Sequence, residues 1–336
     1  MNTEKNNFEL TNLPERLSDQ ARAHKAAELI LNPIEEGEAG YDNIFLTGKI
    51  SKAENNSFIV DIDDSDTTVA LNDKIKDMYD LLDIPTIPEV RSGGEKSLIS
   101  GGSWLQIKDF DGKILIPFFR RDADAPSDPN CLTGPAGRCG EPLSKTSIDE
   151  TNQEIMIICN DKDDKPKLLA FYRNDSDIDR TVDQKMIQIK ENIDNLNAKL
   201  SNSMNEEIKK QVDILKSLDG VNSIELVKIE DNDDDSQNLD TIFTRVNGVV
   251  VDEVKGIAYM DEKNNTLEVR EVLPINLPAG HRILAAIDGE KFSRDTFLIE
   301  KNNLEDIKND DLVPALKNYV MRTLVGSGIT KSVIKK

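Results

Sequence analysis

A chain of 336 residues is long enough to bury one large core or two ordinary ones, and 38% hydrophobic against 31% charged residues suggests much solvated surface and long polar insertions rather than a compact barrel, in a chain whose patterns read as soluble, acidic and α+β. A net charge of −21, with no run of Lys or Arg, argues against nucleic-acid backbones and anionic membranes as partners. No apolar segment approaches the roughly 20 residues that span a bilayer, and MNTEKNNFEL lacks the form of a signal peptide, so the expected location is the cytoplasm with no membrane partner.

In chain order, residues 14–31 carry Leu17, Ala21, Ala27 and Leu31 near helical spacing behind Pro14, which predicts a helix. NIFLTGKI (43–50) and SFIVDI (57–62) predict a strand pair, followed by TTVAL (67–71) and a short helix around Lys74–Leu82. Residues 1–92 thus form an N-terminal α/β block, and the Pro- and Gly-rich IPTIPEVRSGGEK (84–96) is the candidate linker. Trp104, Leu105 and Ile107, then the turn DFDG, then ILIPFF predict a hairpin. IMIIC (155–159) and KLLAFYR (167–173) read as two apolar strands that should pair across NDKDDKP.

Residues 182–218 repeat apolar side chains at steps of three and four, including Ile189, Ile193, Leu196, Leu200 and Met204, which predicts a long helix or helical hairpin. That stripe is a candidate homodimer contact as well as an intramolecular one. DNDDDSQNLD (231–240) reads as a solvated loop that lacks the Gly and distal Glu of a calcium loop. A strand-rich segment follows, and residues 311–324 predict a closing helix. Cys131, Cys139 and Cys159 are odd in number and have no paired zinc spacing, which fits reduced structural thiols.

The stretch that carries chemistry is LTGPAGRCGEPLSKTSIDETNQEI. Gly134, Gly137 and Gly140 predict a tight turn with exposed backbone N–H groups, flanked by Arg120, Arg121 and Arg138. Glu150 and Glu154 are four apart, so a helix brings them to one face. Paired carboxylates suit a hard divalent cation that bridges to phosphate, and arginines would hold that phosphate against an acidic protein. The bland alternative reads the same residues as surface acids, with Ser147-x-x-Glu150 as a capping box.

In order and spacing these residues resemble the Nudix hydrolases, whose box runs G-x5-E-x7-R-E-U-x-E-E-x-G-U with U apolar. With Glu141 on the first glutamate, seven residues separate it from Asp149-Glu150, and Glu154 falls on the last glutamate. The resemblance implies an α/β/α sandwich around a mixed sheet over residues 97–300, with a helical insertion at 182–240 and a C-terminal helix and tail at 301–336. It also implies Mg2+ or Mn2+ held by Glu141, Glu150 and Glu154, and a nucleotide-type small molecule whose phosphates meet Arg120, Arg121 and Arg138. The activity implied is hydrolysis of a nucleoside diphosphate linked to another group. Asp149, Thr151, Gln153 and Met156 depart from the box, and the neutral Gln153 removes a usual metal ligand. That leaves a second reading, a Nudix-fold binding or structural module without catalysis.

Overall fold

The computed structural model describes residues 44–52, 57–62, 67–69, 95–121, 123, 128–139, 142–199, 213–218, 220–229, 239–262, 265–289, 296–307 and 311–326. The helices expected at 14–31 and 74–82, most of the linker and most of the 231–240 loop lie outside them.

Fifteen described strands form two sheets. The larger holds β1 (Ile44–Lys52), β2 (Ser57–Ile62), β3 (Thr67–Val69), β4 (Ser97–Lys108), β5 (Ile114–Arg120), β6 (Leu132–Thr133), β7 (Ala136–Arg138), β11 (Asp240–Val246), β12 (Val249–Asp261), β13 (Thr266–Asn276) and β15 (Thr296–Glu300). The smaller runs β10 (Ile224–Lys228), β9 (Pro166–Tyr172), β8 (Ile155–Asn160), β14 (Arg282–Asp288). The helices are α1 (Leu143–Glu154), α2 (Ile178–Lys199) and α3 (Pro314–Gly326). The architecture is mixed α+β.

Part of the larger sheet closes on itself. β4 pairs in parallel with β13, β13 with β12, β12 with β11, β11 in parallel with β2, β2 with β1, and β1 returns to β4 at Thr47 and Gly48. The ring encloses Leu46, Val60, Ile99, Ile242, Val254, Ala258, Leu267 and Val269, drawn from all six strands, with Cys139 and Leu143. The composition pointed away from a barrel, but only alternate residues of each strand face inward, so a ring needs few apolar residues per strand.

Alternation along β4 and β13 then builds cores on both faces of their far halves. Trp104 and Val272 pack with Phe118 of β5 and with Leu316 and Tyr319 of α3, the Trp104 and Tyr319 rings stacking at 5.3 Å. Leu105, Ile107, Leu273 and Ile275 face the other way, against Ile148 of α1 and Ile155, Ile157, Leu169 and Phe171 of the smaller sheet. On the far side of that sheet Met156, Ile158 and Leu168 meet Ile189 and Ile193 of α2. Helix α1 therefore lies between the two sheets and α2 outside the smaller one.

Local chemistry explains the joints. Gly112 adopts φ +79° in the DFDG turn, where Asp109 accepts the Lys113 N–H at 2.8 Å. Asn247 and Gly248, at φ +50° and +80°, close the β11–β12 hairpin as a two-residue turn. The expected pairing of 155–159 with 167–173 is present as antiparallel β8–β9.

Candidate active site on helix α1

Helix α1 begins after Pro142, whose ring cannot donate, and no side chain of its own caps it. The Ser144 N–H is taken instead by Asp252 of β12 at 3.0 Å. Ser147 lies inside the helix, its hydroxyl donating to Leu143 O at 2.9 Å, so the capping-box reading of Ser147 and Glu150 does not hold. Thr151 donates to Ser147 O, and its hydroxyl lies 2.6 Å from that of Ser103 on β4. Asn152 is held on both sides of its amide, donating to Phe171 O at 2.7 Å and accepting the Phe171 N–H at 3.0 Å.

The C-terminal end of α1 has lost its helical partners, and α2 supplies them. Lys185, fully buried, donates to Asn152 O, to Ile155 O at 3.1 Å and to Gln188 Oε1 at 3.0 Å. Gln188 donates in turn to Gln153 O, and the Gly289 N–H donates to Glu154 O at 2.9 Å. Burial pulls the Lys185 ammonium down to about 7.

This anchored helix turns Glu150 and Glu154 toward one short strand. Glu154 is 9% exposed, and its Oε2 accepts the Ala136 N–H at 2.7 Å. Glu150 Oε1 lies only 1.9 Å from where a Cβ on Gly137 would stand, so the carboxylate occupies room that glycine leaves. Gly137 was expected in a turn. It belongs instead to β7, paired with β4 at Gly101, and the need for glycine there is close approach rather than turn geometry.

Of the other expected site residues, Arg138 has its backbone on β7, and Glu141 lies outside the described residues. Arg120 and Arg121 sit at the end of β5. Arg120 donates to Asn130 O at 2.7 Å and lies 5.5 Å from the Phe297 ring, and the Arg121 N–H donates to Cys131 O. The structure thus brings Glu150 and Glu154 together on β7 and places Arg120 with Asn130 and Phe297. Asp149 faces away and meets Arg180 of α2 at 2.7 Å, while Gln153 is exposed. Among the described residues no three His, Cys, Asp or Glu side chains cluster closely enough to hold a metal ion. Cys139 and Cys159 are buried free thiols, each pushed up to about 12 by burial.

Sequence reading missed the polar island beneath the start of α1. Glu271 of β13 pairs with Arg173 at 2.7 Å, and Arg173 also donates to Ser144 O. Glu271 Oε2 is buried without a hydrogen-bond partner, and burial pushes its carboxyl up to about 7 against the pull of Arg173. The available signal was the pair Arg270-Glu271 inside the otherwise strand-like TLEVREVLPI. Arg270 faces the opposite way, donating to Pro135 O at 2.7 Å over the Trp104 ring.

No family model matches the chain, and no curated protein matches it. Among solved structures the chain is similar to the crystal structure of a C. elegans Ap4A hydrolase binary complex. The match has 13% identity over 68% of this chain and 96% of that one, with a TM-score of 0.28. At that TM-score it bears on neither fold nor function. No helix of the described residues is long and apolar enough to cross a membrane.

Proposed function

We propose that the chain is a Nudix-like, metal-dependent pyrophosphohydrolase acting on a nucleoside diphosphate linked to another group. The observation that carries this reading is that Glu150 and Glu154 share one face of α1 and reach the same strand, Ala136–Arg138, in the register that sets Glu141 on the first glutamate of the box. Two carboxylates on a helix fixed at both ends fit Mg2+ or Mn2+, which is commonly bound by one or two carboxylates with waters and substrate phosphates completing the shell. Glu150 and Glu154, with Glu141, would hold the ion. When bound, it supplies Lewis-acid polarisation of a phosphoryl oxygen and a water of lowered pKa.

The chain's own residues do the rest. The Ala136 N–H orients Glu154, and the missing Cβ of Gly137 lets Glu150 approach. Asp252 at one end of α1, and Lys185 and Gln188 at the other, keep both carboxylates from drifting. Arg138, on the same strand, is the arginine assigned to substrate phosphate. Arg120 and Arg121 would join it only from the end of β5, and Arg120 would first have to leave Asn130 O.

One set of observations favours the second reading, a Nudix-like module without catalysis. Glu154 is nearly buried with one oxygen already accepting a backbone N–H, Asp149 is paired with Arg180, and Gln153 is neutral. Purified protein with Mn2+ or Mg2+ and a panel of nucleoside diphosphate compounds separates the two. Turnover that falls roughly 10- to 100-fold or more in Glu154→Gln supports the hydrolase, since even residues supporting a ligand cost that much. Absence of turnover across the panel, or turnover untouched by the substitution, leaves the module reading.

A further inference from the structure

Three successive valines stand in solvent at the start of β12: Val249 is 65% exposed, Val250 53% and Val251 52%. Alternate residues of a strand face opposite sides, so both faces of this end of β12 are open. One edge is open as well. Among the described residues, β12 pairs with β13 only from Gly256 onward, and residues 249–255 have β11 as their one strand neighbour. An apolar strand edge of this kind is a template for another strand, and folded chains normally blunt it with charge or cover it. We infer that this edge is where two copies of the chain meet, their β12 strands running antiparallel about a two-fold axis through Val250.

Charge selects a second copy as the occupant and fixes the register. From Val246 to Val251 the chain carries no charge, in a sequence with 31% charged residues and a net charge of −21. Two such copies repel each other least where both lack charge. With Val250 on the axis, Val249 lies opposite the partner's Val251, Asp252 opposite the partner's Gly248 and Glu253 opposite the partner's Asn247. The strip is then its own complement, as a two-fold contact requires. An axis between Asp252 and Glu253 would instead set acid against acid, which is destabilising. The nearest charges are engaged inside each copy, Arg245 with Asp61 at 2.7 Å and Asp252 with the Ser144 N–H at 3.0 Å.

The other surface expected to join copies is spent, since Ile189 and Ile193 of α2 pack on the smaller sheet. The register shift that skips Val251 in the β11–β12 ladder increases the local twist, so contact is confined to a short strip around Val250. Three valines a side cover well under the roughly 1,200 Å2 of a stable interface, so monomer and dimer coexist in exchange. Like charge over the rest of the surface weakens the contact further, and salt relieves that repulsion. Asp252 follows the valines directly, so pairing also steadies the strand that holds the first turn of α1.

Sedimentation velocity of the full chain from micromolar to millimolar concentration should show a monomer–dimer equilibrium that strengthens with added salt. Val250→Lys sets two ammonium groups at the axis and should raise the dissociation constant about tenfold or more. Val221→Lys, at a 58% exposed valine just ahead of β10, should leave it unchanged. Antiparallel partners stand about 4.5–5.5 Å apart at Cα, within disulfide reach. With Cys131 replaced by serine and the other two thiols buried, the thiol introduced by Val250→Cys should crosslink the dimer under mild oxidation, and that introduced by Val221→Cys should not. A chain monomeric throughout, a dimer that Val250→Lys leaves intact, association that falls with salt, or crosslinking no faster at Val250 than at Val221 would overturn the assignment. A monomer whose introduced thiol at Val250 also resists a thiol reagent would overturn it in favour of a segment of the same chain as the cover.

Discussion

At the scale of single residues, two buried titratable groups flank α1 and pull stability in opposite directions. Glu271 is raised from 4.5 to about 7 by burial, so between those values the folded state holds a proton that the unfolded chain has released. Its contribution to stability is therefore present below about pH 4.5 and lost as pH rises toward 7. Lys185 is lowered from 10.5 to about 7 by burial, so between those values the unfolded chain holds the extra proton and stability rises with pH. Glu271→Gln should flatten the acid-side slope and Lys185→Met the alkaline-side slope, each changing the span by roughly 1–3 kcal/mol. Urea unfolding at about pH 5, 7 and 9 reads both slopes. Unchanged slopes would mean that neither group titrates as its burial dictates. Neither residue stood out in the sequence, because a charged residue in a strand or helix pattern reads as a solvated face. Burial depends on what lies opposite, and for Glu271 that is Arg173, 98 residues away.

Elements were legible where the local pattern agreed with the tertiary demand. The β4–β5 hairpin, the β8–β9 pair, the closing helix and the helix bearing Glu150 and Glu154 were all readable from periodicity and turn residues. The inward face of α2 was not. Its apolar residues Ile189 and Ile193 do pack on the smaller sheet, yet Thr181, Lys185, Gln188 and Asn192, at steps of four, three and four, are buried as well. They are buried because the junction from α1 to β8 exposes carbonyls that only an adjacent helix can satisfy. Asn152 is the sharpest test of that junction. Asn152→Ala strips the Phe171 N–H and carbonyl of their partner and should cost about 2–3 kcal/mol by denaturant unfolding. A loss below about 0.5 kcal/mol would show that the link between α1 and β9 adds little.

The whole molecule carries two features that no local pattern encodes. Closure of the six-stranded ring depends on residues 57–62 pairing with 241–246, and such distant register is set by cores and not by neighbours in sequence. The other is the net charge of −21, which opposes any anionic substrate of the proposed hydrolase. Added salt screens that repulsion, so KM for a diphosphate substrate should fall several-fold between roughly 20 and 200 mM ionic strength. A KM that rises over that range would instead indicate that cationic attraction at the site outweighs the global field.

The proposed function stands or falls on whether Glu150 and Glu154 together hold a divalent cation. Mn2+ binding followed by electron paramagnetic resonance, on the full chain and on the Glu150→Gln, Glu154→Gln double variant, tests it most directly. One Mn2+ should bind per native chain and that site should vanish in the folded double variant. No binding to the native chain, or binding that survives both substitutions, would show that these two carboxylates are not metal ligands.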